Sequence, residues 1–304
     1  MKLKALLKRA RSFAKPFRVT DGKDFRLKDF DPGDTLDLGS QDKPRAKEAL
    51  VMGVEALAQL QDMLYAQDSW AVLLIFQAMD AAGKDGTIKH VMSGINPQGC
   101  QVTSFKAPSP EDLDHDYLWR CAKHLPARGH IGIFNRSYYE EVLIVKVHPD
   151  LVKAQRIPDA DPGKKKFWQG RYEDINHFER HLTRNGMVIL KFFLHISKEE
   201  QRRRFLERLN DPAKHWKFSP ADVAERAYWD EYMRAYEDAL TETSTDWAPW
   251  YVIPADHKWV TRALVATAVV RAIRALDLRY PEPTPQLREQ IAEALRLLEK
   301  EGEV

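Results

Sequence analysis

Leu73-Leu74-Ile75-Phe76-Gln77-Ala78-Met79-Asp80-Ala81-Ala82-Gly83-Lys84-Asp85-Gly86-Thr87 decides the fold. An apolar run with strand character enters a tight loop of small residues. A helical pattern with a lysine at its start follows. In this layout backbone N–H groups and a helix N-terminus face an anion, and the lysine supplies a point charge. The stretch departs from Gly-x-x-x-x-Gly-Lys-Ser/Thr. Ala78 stands at the first glycine and Asp85 at the Ser/Thr position, with a hydroxyl only at Thr87. Asp80 is then the candidate for the Mg²⁺ ligand that the hydroxyl normally supplies. The bland alternative is a strand-to-helix turn without a ligand. The position of the loop, between a strand and a helix, is what phosphate binding requires.

Outward from this loop, strands and helices alternate. Trp70–Phe76 is the central strand; Gln101–Phe105, His130–Phe134, Met187–Ile196 and Trp250–Ile253 are four more. A long helix follows Pro44, and further helical patterns cover Lys84 to Ser93, a segment opened by Pro110, and 167–184, 197–210, 219–240 and 257–277. Such alternation implies an α/β fold: a central five-stranded parallel sheet in a three-layer αβα sandwich. Ligands then bind beyond the carboxyl ends of the strands, where the 77–83 loop lies.

The strand over His130–Phe134 runs into Asn135-Arg136-Ser137-Tyr138-Tyr139-Glu140-Glu141. A second parallel strand in a phosphate-loop protein usually delivers a Mg²⁺-binding acid at its end. Here the first polar residue is Asn135, a neutral oxygen donor. Arg136 is placed to neutralise charge on a transferred phosphoryl group. Glu140 and Glu141 open the next helix, where the helix dipole also favours acids.

These residues resemble the polyphosphate kinase 2 family. Asp80-Ala81-Ala82-Gly83-Lys84-Asp85-Gly86-Thr87 is similar to its Walker A motif, and Phe134 to Glu140 to its Walker B segment. Asn135 and Glu140 depart from the usual form of that segment and resemble the class III branch. Further likeness lies in Gln201 to Arg208 and Asp211 to Ser219, which look like the family's lid. The resemblance covers roughly residues 45–275. It implies a P-loop kinase with a helical lid, moving phosphoryl groups from inorganic polyphosphate to nucleoside mono- and diphosphates. It implies Mg²⁺, with Mn²⁺ as a substitute, and a homo-oligomer, a tetramer being favoured. Asp80, Lys84, Asn135 and Arg136 are then the catalytic candidates. Ala82, Gly83, Lys84, Asp85, Gly86, Thr87, Arg204, Arg208, Lys214 and Lys217 are the phosphate-binding ones. Arg136, Glu140 and Glu141 are expected at the nucleotide acceptor, and Asp80, Asn135 and Glu141 at the metal.

The lid also reads physically. Arg204 and Arg208 are four apart and share a helix face, and Lys214 and Lys217 flank Trp216 in a Pro-containing loop. A row of movable cations beside a phosphate loop suits a polyanion that must be clamped.

Composition sets the frame. The 304 residues are 44% hydrophobic and 30% charged, enough for a large core, and the net charge of +2 names no partner. Residues 1–43 read as an extended basic arm, 44–280 as the kinase domain with its lid at about 150–220, and 281–304 as a stiff Pro-containing linker and an amphipathic helix. Cys100 and Cys121 form no disulfide framework, and no histidine pair has trustworthy metal-ligand spacing. No apolar run reaches the ~18 residues of a membrane span. A cytoplasmic enzyme without nucleic-acid or membrane partners is the expectation. An ATP-dependent nucleotide kinase of the same fold, and a polyanion-binding regulator without turnover, are the competing readings.

Overall fold

Seven residues in a row, Ala71–Gln77, are buried, as a strand covered on both faces requires. The structure, a computed structural model, describes residues 13–301; the side chain of Lys217, expected above to bind phosphate, lies outside the described residues. The described strands are β1 (Arg18–Val19), β2 (Ala71–Gln77), β3 (Cys100–Ser104), β4 (Ile131–Asn135), β5 (Met187–His195) and β6 (Trp250–Pro254). The helices are α1 (Lys43–Gln67), α2 (Lys84–Val91), α3 (Pro110–Leu113), α4 (Trp119–Ala122), α5 (Ile144–Val147), α6 (Lys165–Arg184), α7 (Lys198–Leu209), α8 (Pro220–Ala224), α9 (Trp229–Thr243), α10 (Lys258–Arg274) and α11 (Pro285–Glu301), with 3₁₀ turns between them.

The sheet order is β1-β6-β5-β2-β4-β3. Strands β2 to β6 pair in parallel, so the five expected strands form as one parallel sheet. The chain leaves β2 on one side for β3 and β4 and returns on the other for β5 and β6. A crevice therefore opens at the carboxyl end of β2. Helix α10 packs against α1 and α2, while α6 packs on β5 and on α9.

Two expectations need correction. The sheet has a sixth strand, antiparallel: Arg18 pairs with Tyr251 and Val19 with Trp250. Along its described length the extended arm lies against the domain. Ala14, Phe17, Val19 and Leu27 join the core, and the Leu27 N–H donates to Glu237 at 2.9 Å. At Gly22 the chain passes so close to α9 that a Cβ would sit 1.6 Å from the Thr241 carbonyl oxygen. The single helix expected over 219–240 is also broken, into α8, a 3₁₀ turn at Glu225–Tyr228, and α9. Tertiary bonds hold that turn: Arg226 donates to the Lys198 carbonyl and to Gln201, and Tyr232 donates to Glu225. Among the described residues no helix is long and apolar enough to cross a membrane.

A buried ion pair crosses the core. Lys191, in the middle of β5, donates to Glu179 at 2.6 Å, to the Tyr139 hydroxyl at 2.8 Å and to the Thr243 carbonyl at 2.8 Å. Tyr138 and Tyr139 also donate to Glu179. The network pins the turn that follows β4.

His195 ends β5 almost fully buried, with no partner on Nδ1 among the described residues. Burial pulls its pKa down to about 4, against the opposing charges of Asp256 and Asp31. The unfolded chain therefore binds the extra proton between about pH 6.5 and pH 4. Stability is full above that window and falls as pH drops through it, by roughly 3 kcal/mol. Histidine NMR titration of the folded protein is expected to show a neutral His195 ring at pH 5. A midpoint near 6.5 would contradict it.

Candidate active site

A loop that is to bind phosphate through its N–H groups must bond its carbonyl groups elsewhere, and the 78–83 loop does so. Helix α7 supplies the partners. Gln201 donates to the Asp80 carbonyl at 3.0 Å. Arg204 Nη1 donates to the Ala81 carbonyl at 3.1 Å and the Ala82 carbonyl at 2.8 Å. Arg204 Nη2 reaches the Ala255 carbonyl at 2.6 Å and that of Asp256 at 3.1 Å, just past β6. Nε pairs with Glu200 at 2.6 Å. Lys84 Nζ donates to the Ala78 carbonyl at 2.8 Å. These bonds hold the loop in a left-handed form, strained at Ala81 with φ +61° and freely adopted at Gly83 with φ +103°. Gly83 caps α2 in the left-handed region, where a side chain is disfavoured.

Strand register brings the second motif alongside. Phe76 of β2 pairs with Asn135 of β4, so both strand ends deliver their polar residues to one edge. Asn135 Nδ2 donates to Asp85 at 2.8 Å. Arg136 Nη2 donates to Asp80 Oδ1 at 3.1 Å. Arg136 itself has φ +66°, a conformation kept by its N–H bond to the Phe76 carbonyl and by the buried tyrosines that follow. Burial pulls the Lys84 ammonium below its ordinary range, and Asp80 works against that shift.

Together these groups form one wall of a cavity of about 690 Å³, a size that suits a small-molecule site. The expected residues Asp80 and Ala82 to Thr87 line it, with Asn135, Arg136, Arg204, Arg208 and Lys214. Lys106, Asp222, Lys258 and Arg262 also line it and were not anticipated. Lys106 lies just beyond β3, and Lys258 and Arg262 stand four apart at the start of the helix after β6. The strand-end rule that located Arg136 points equally to them. Arg208 pairs with Asp222 across the lid at 3.5 Å. Burial, then the Asp80 charge, raise the Asp222 carboxyl pKa, and Arg208 opposes the rise. Trp216, 79% exposed, stands at the cavity wall.

Three expected roles meet a different geometry. Glu141 does not line the cavity. Its side chain is buried in a pair with Arg171 at 2.8 Å and also accepts from Gln155, so it is committed to the fold and is not available to a metal or an acceptor there. Glu140, its neighbour on the 3₁₀ turn, accepts from Gln77 at 3.0 Å. Burial raises the Glu140 carboxyl pKa, with Arg136 and then Lys84 opposing; Glu140 stands behind these two cations and does not line the cavity. Arg204 is no movable clamp: at 6% exposure it is an internal strut of the loop.

Mg²⁺ takes one or two carboxylates and completes its shell with phosphate oxygens and water. Asp80, Asp85 and Asp222 offer hard oxygen donors on the cavity, and no cluster of three or more carboxylate, imidazole or thiol ligands exists among the described residues. The donor set fits a phosphate-bound ion better than an all-protein cage.

The comparisons agree with this geometry. The sequence profile of polyphosphate kinase 2 matches residues 40–281. The chain is 52% identical over 277 residues to an ADP-polyphosphate phosphotransferase of Rhodopseudomonas palustris, spanning 88% of this chain and 96% of that one. It is 47% identical over 269 residues to an AMP/ADP-polyphosphate phosphotransferase of Meiothermus ruber, with the same coverage of 88% and 96%. The crystal structure of polyphosphate kinase 2 from Arthrobacter aurescens TC1 superposes with a TM-score of 0.85 at 42% identity, covering 94% of this chain and 98% of that one.

Arg204→Ala and Arg208→Ala are expected to separate. The first leaves loop carbonyls and Glu200 without their buried partner and costs about 3–5 kcal/mol of stability, measured by urea unfolding. The second leaves stability within about 1 kcal/mol. Equal stabilities would contradict the strut.

Proposed function

This chain belongs to the polyphosphate kinase 2 family, and from that premise we propose that it moves the terminal phosphoryl group of inorganic polyphosphate onto nucleoside mono- and diphosphates, AMP to ADP and ADP to ATP. The observation that carries the reading is the cavity at the ends of β2 and β4. Eight Lys and Arg residues line it against four carboxylates, a surplus that suits a long polyanion more than a single triphosphate. The relatives named above pair polyphosphate with ADP, or with AMP and ADP, which supports the same donor and acceptors here.

The chain's own residues divide the work. The N–H groups at the start of α2 and the Lys84 ammonium hold the phosphates next to the transferred one. Arg136 neutralises charge spreading over the moving phosphoryl group, which is loose and anionic in transition. Arg208, Lys214, Lys258 and Arg262 hold the remaining donor chain along the cavity. A Mg²⁺ ion, when bound by Asp80 with Asn135 and phosphate oxygens, would neutralise further phosphate charge. The acceptor's own phosphate oxygen is the nucleophile, so positioning and charge neutralisation suffice and no covalent enzyme intermediate is required.

The testing experiment supplies AMP, ADP, GMP and GDP in turn with Mg²⁺ and either long-chain polyphosphate or ATP as donor. Product with polyphosphate supports the proposal; turnover confined to ATP favours an ordinary nucleotide kinase. Binding of polyphosphate with no turnover from either donor favours the regulator.

Two substitutions sharpen it. Lys84→Ala is expected to lower kcat by roughly a hundredfold, the loss of about 3 kcal/mol of transition-state stabilisation, in a folded protein. A near-normal kcat would remove Lys84 from the chemistry. Glu140→Gln removes a charge behind Arg136 and Lys84 and is expected to change the ratio of AMP to ADP turnover. Equal losses on both acceptors would leave Glu140 a structural residue.

A further inference from the structure

Helix α11 is amphipathic and stands without cover. Leu287, Ile291, Leu295 and Leu298 are spaced by four, four and three residues and so share one face. They are 44% to 64% exposed, and no residue of the helix is buried. Most helical stability in proteins comes from packing of an amphipathic face, so this 17-residue helix calls for a partner on its apolar face. Its approach is constrained. The Tyr280 hydroxyl donates to Asp62 of α1 at 2.6 Å, and the Pro281-Glu282-Pro283-Thr284-Pro285 segment that follows is stiff.

The same molecule exposes an apolar groove of about 500 Å³ between α1 and α10. Leu50, Val51 and Val54 of α1 and Trp259 of α10 form its floor. Val51 is half exposed. Lys43, Lys47 and Arg262 stand at its rim against one acid, Glu55. Residues 282–301 carry five glutamates against three basic residues. The two uncovered apolar surfaces of this chain thus have opposite charge.

We infer that the groove receives α11 of a second copy of this chain, and that two copies exchange the helix reciprocally. Among the described residues both surfaces are uncovered, and no residue of the helix is buried against its own domain. Exchange about a two-fold axis uses each surface once per copy and closes. The size is right. Eleven groove residues and the inward half of a 17-residue helix give about 20 residues a side, the number a stable dimer uses. Arg262 borders both the groove and the phosphate cavity, so the docked helix lies next to the donor path.

The test is solution mass by light scattering on the full chain, whose monomer is 35.2 kDa. The wild type is expected at twice that mass or more. Val51→Asp in the groove and Ile291→Asp/Leu295→Asp in the stripe are each expected to lower the mass at least twofold, with unchanged circular dichroism. A monomeric wild type, or a mass unaffected by Val51→Asp, overturns the proposal. A second measurement fixes the pairing. Val51→Cys protein mixed with Leu295→Cys protein under oxidation is expected to give a covalent heterodimer. Cross-linking of Leu295→Cys with itself would mean that the helices pair with each other, and an intramolecular bridge in the double cysteine variant would place the helix in its own groove; either overturns the exchange.

Discussion

The site depends on where the carbonyl groups of one loop find their hydrogen bonds. A loop that offers its N–H groups to phosphate turns its carbonyls the other way, into protein. In this chain the Asp80, Ala81 and Ala82 carbonyls all accept from Gln201 and Arg204 of α7, and Arg204 carries the connection on to the end of β6. One buried guanidinium therefore ties the ends of two strands to a helix of the lid. The left-handed backbone at Ala81 is tolerable because these bonds over-determine it. The strut also fixes the distances between Lys84, Arg136 and Asp80 before any substrate arrives, which is how a site stabilises charge without reorganising.

A second fixed point lies on the far side of the sheet. Lys191, Glu179, Tyr138 and Tyr139 form a fully buried network, and its two tyrosines follow Arg136 by two and three residues, next to that residue's left-handed backbone. Burial lowers the Lys191 pKa, and Glu179 opposes the shift. Such a pair contributes little net stability but becomes costly when broken. Its place behind the β4 turn makes it a support for the site as well as for the core.

Much of this was legible in the sequence, and for physical reasons. Strands β2 and β5 are long apolar runs because helices cover both faces, so their existence and nearly their ends could be read. The meeting of Lys84, Asp80, Asn135 and Arg136 on one cavity followed from their positions at strand ends. What could not be read depends on tertiary partners. A two-residue strand, Arg18–Val19, has no periodicity of its own and exists only because β6 offers an edge. Glu140 and Glu141 are neighbours of one kind, and only the turn that carries them sends one behind Arg136 and the other to Arg171. Arg204 and Arg208 share a spacing, yet the former sits where α7 meets the loop and the latter where α7 meets α8. Lys258 and Arg262 were readable too, since they follow β6 as Arg136 follows β4 and line the same cavity.

The central claim is direct transfer from a polyphosphate chain to a nucleotide in this cavity. The measurement that tests it most directly follows ³²P from uniformly labelled polyphosphate with unlabelled ADP and Mg²⁺, stopping the reaction within a single turnover. The account predicts label in the terminal phosphate of ATP at the rate of chain shortening, with none on the protein. Label retained on the denatured protein, or label released only as free phosphate while ADP stays unchanged, would contradict it.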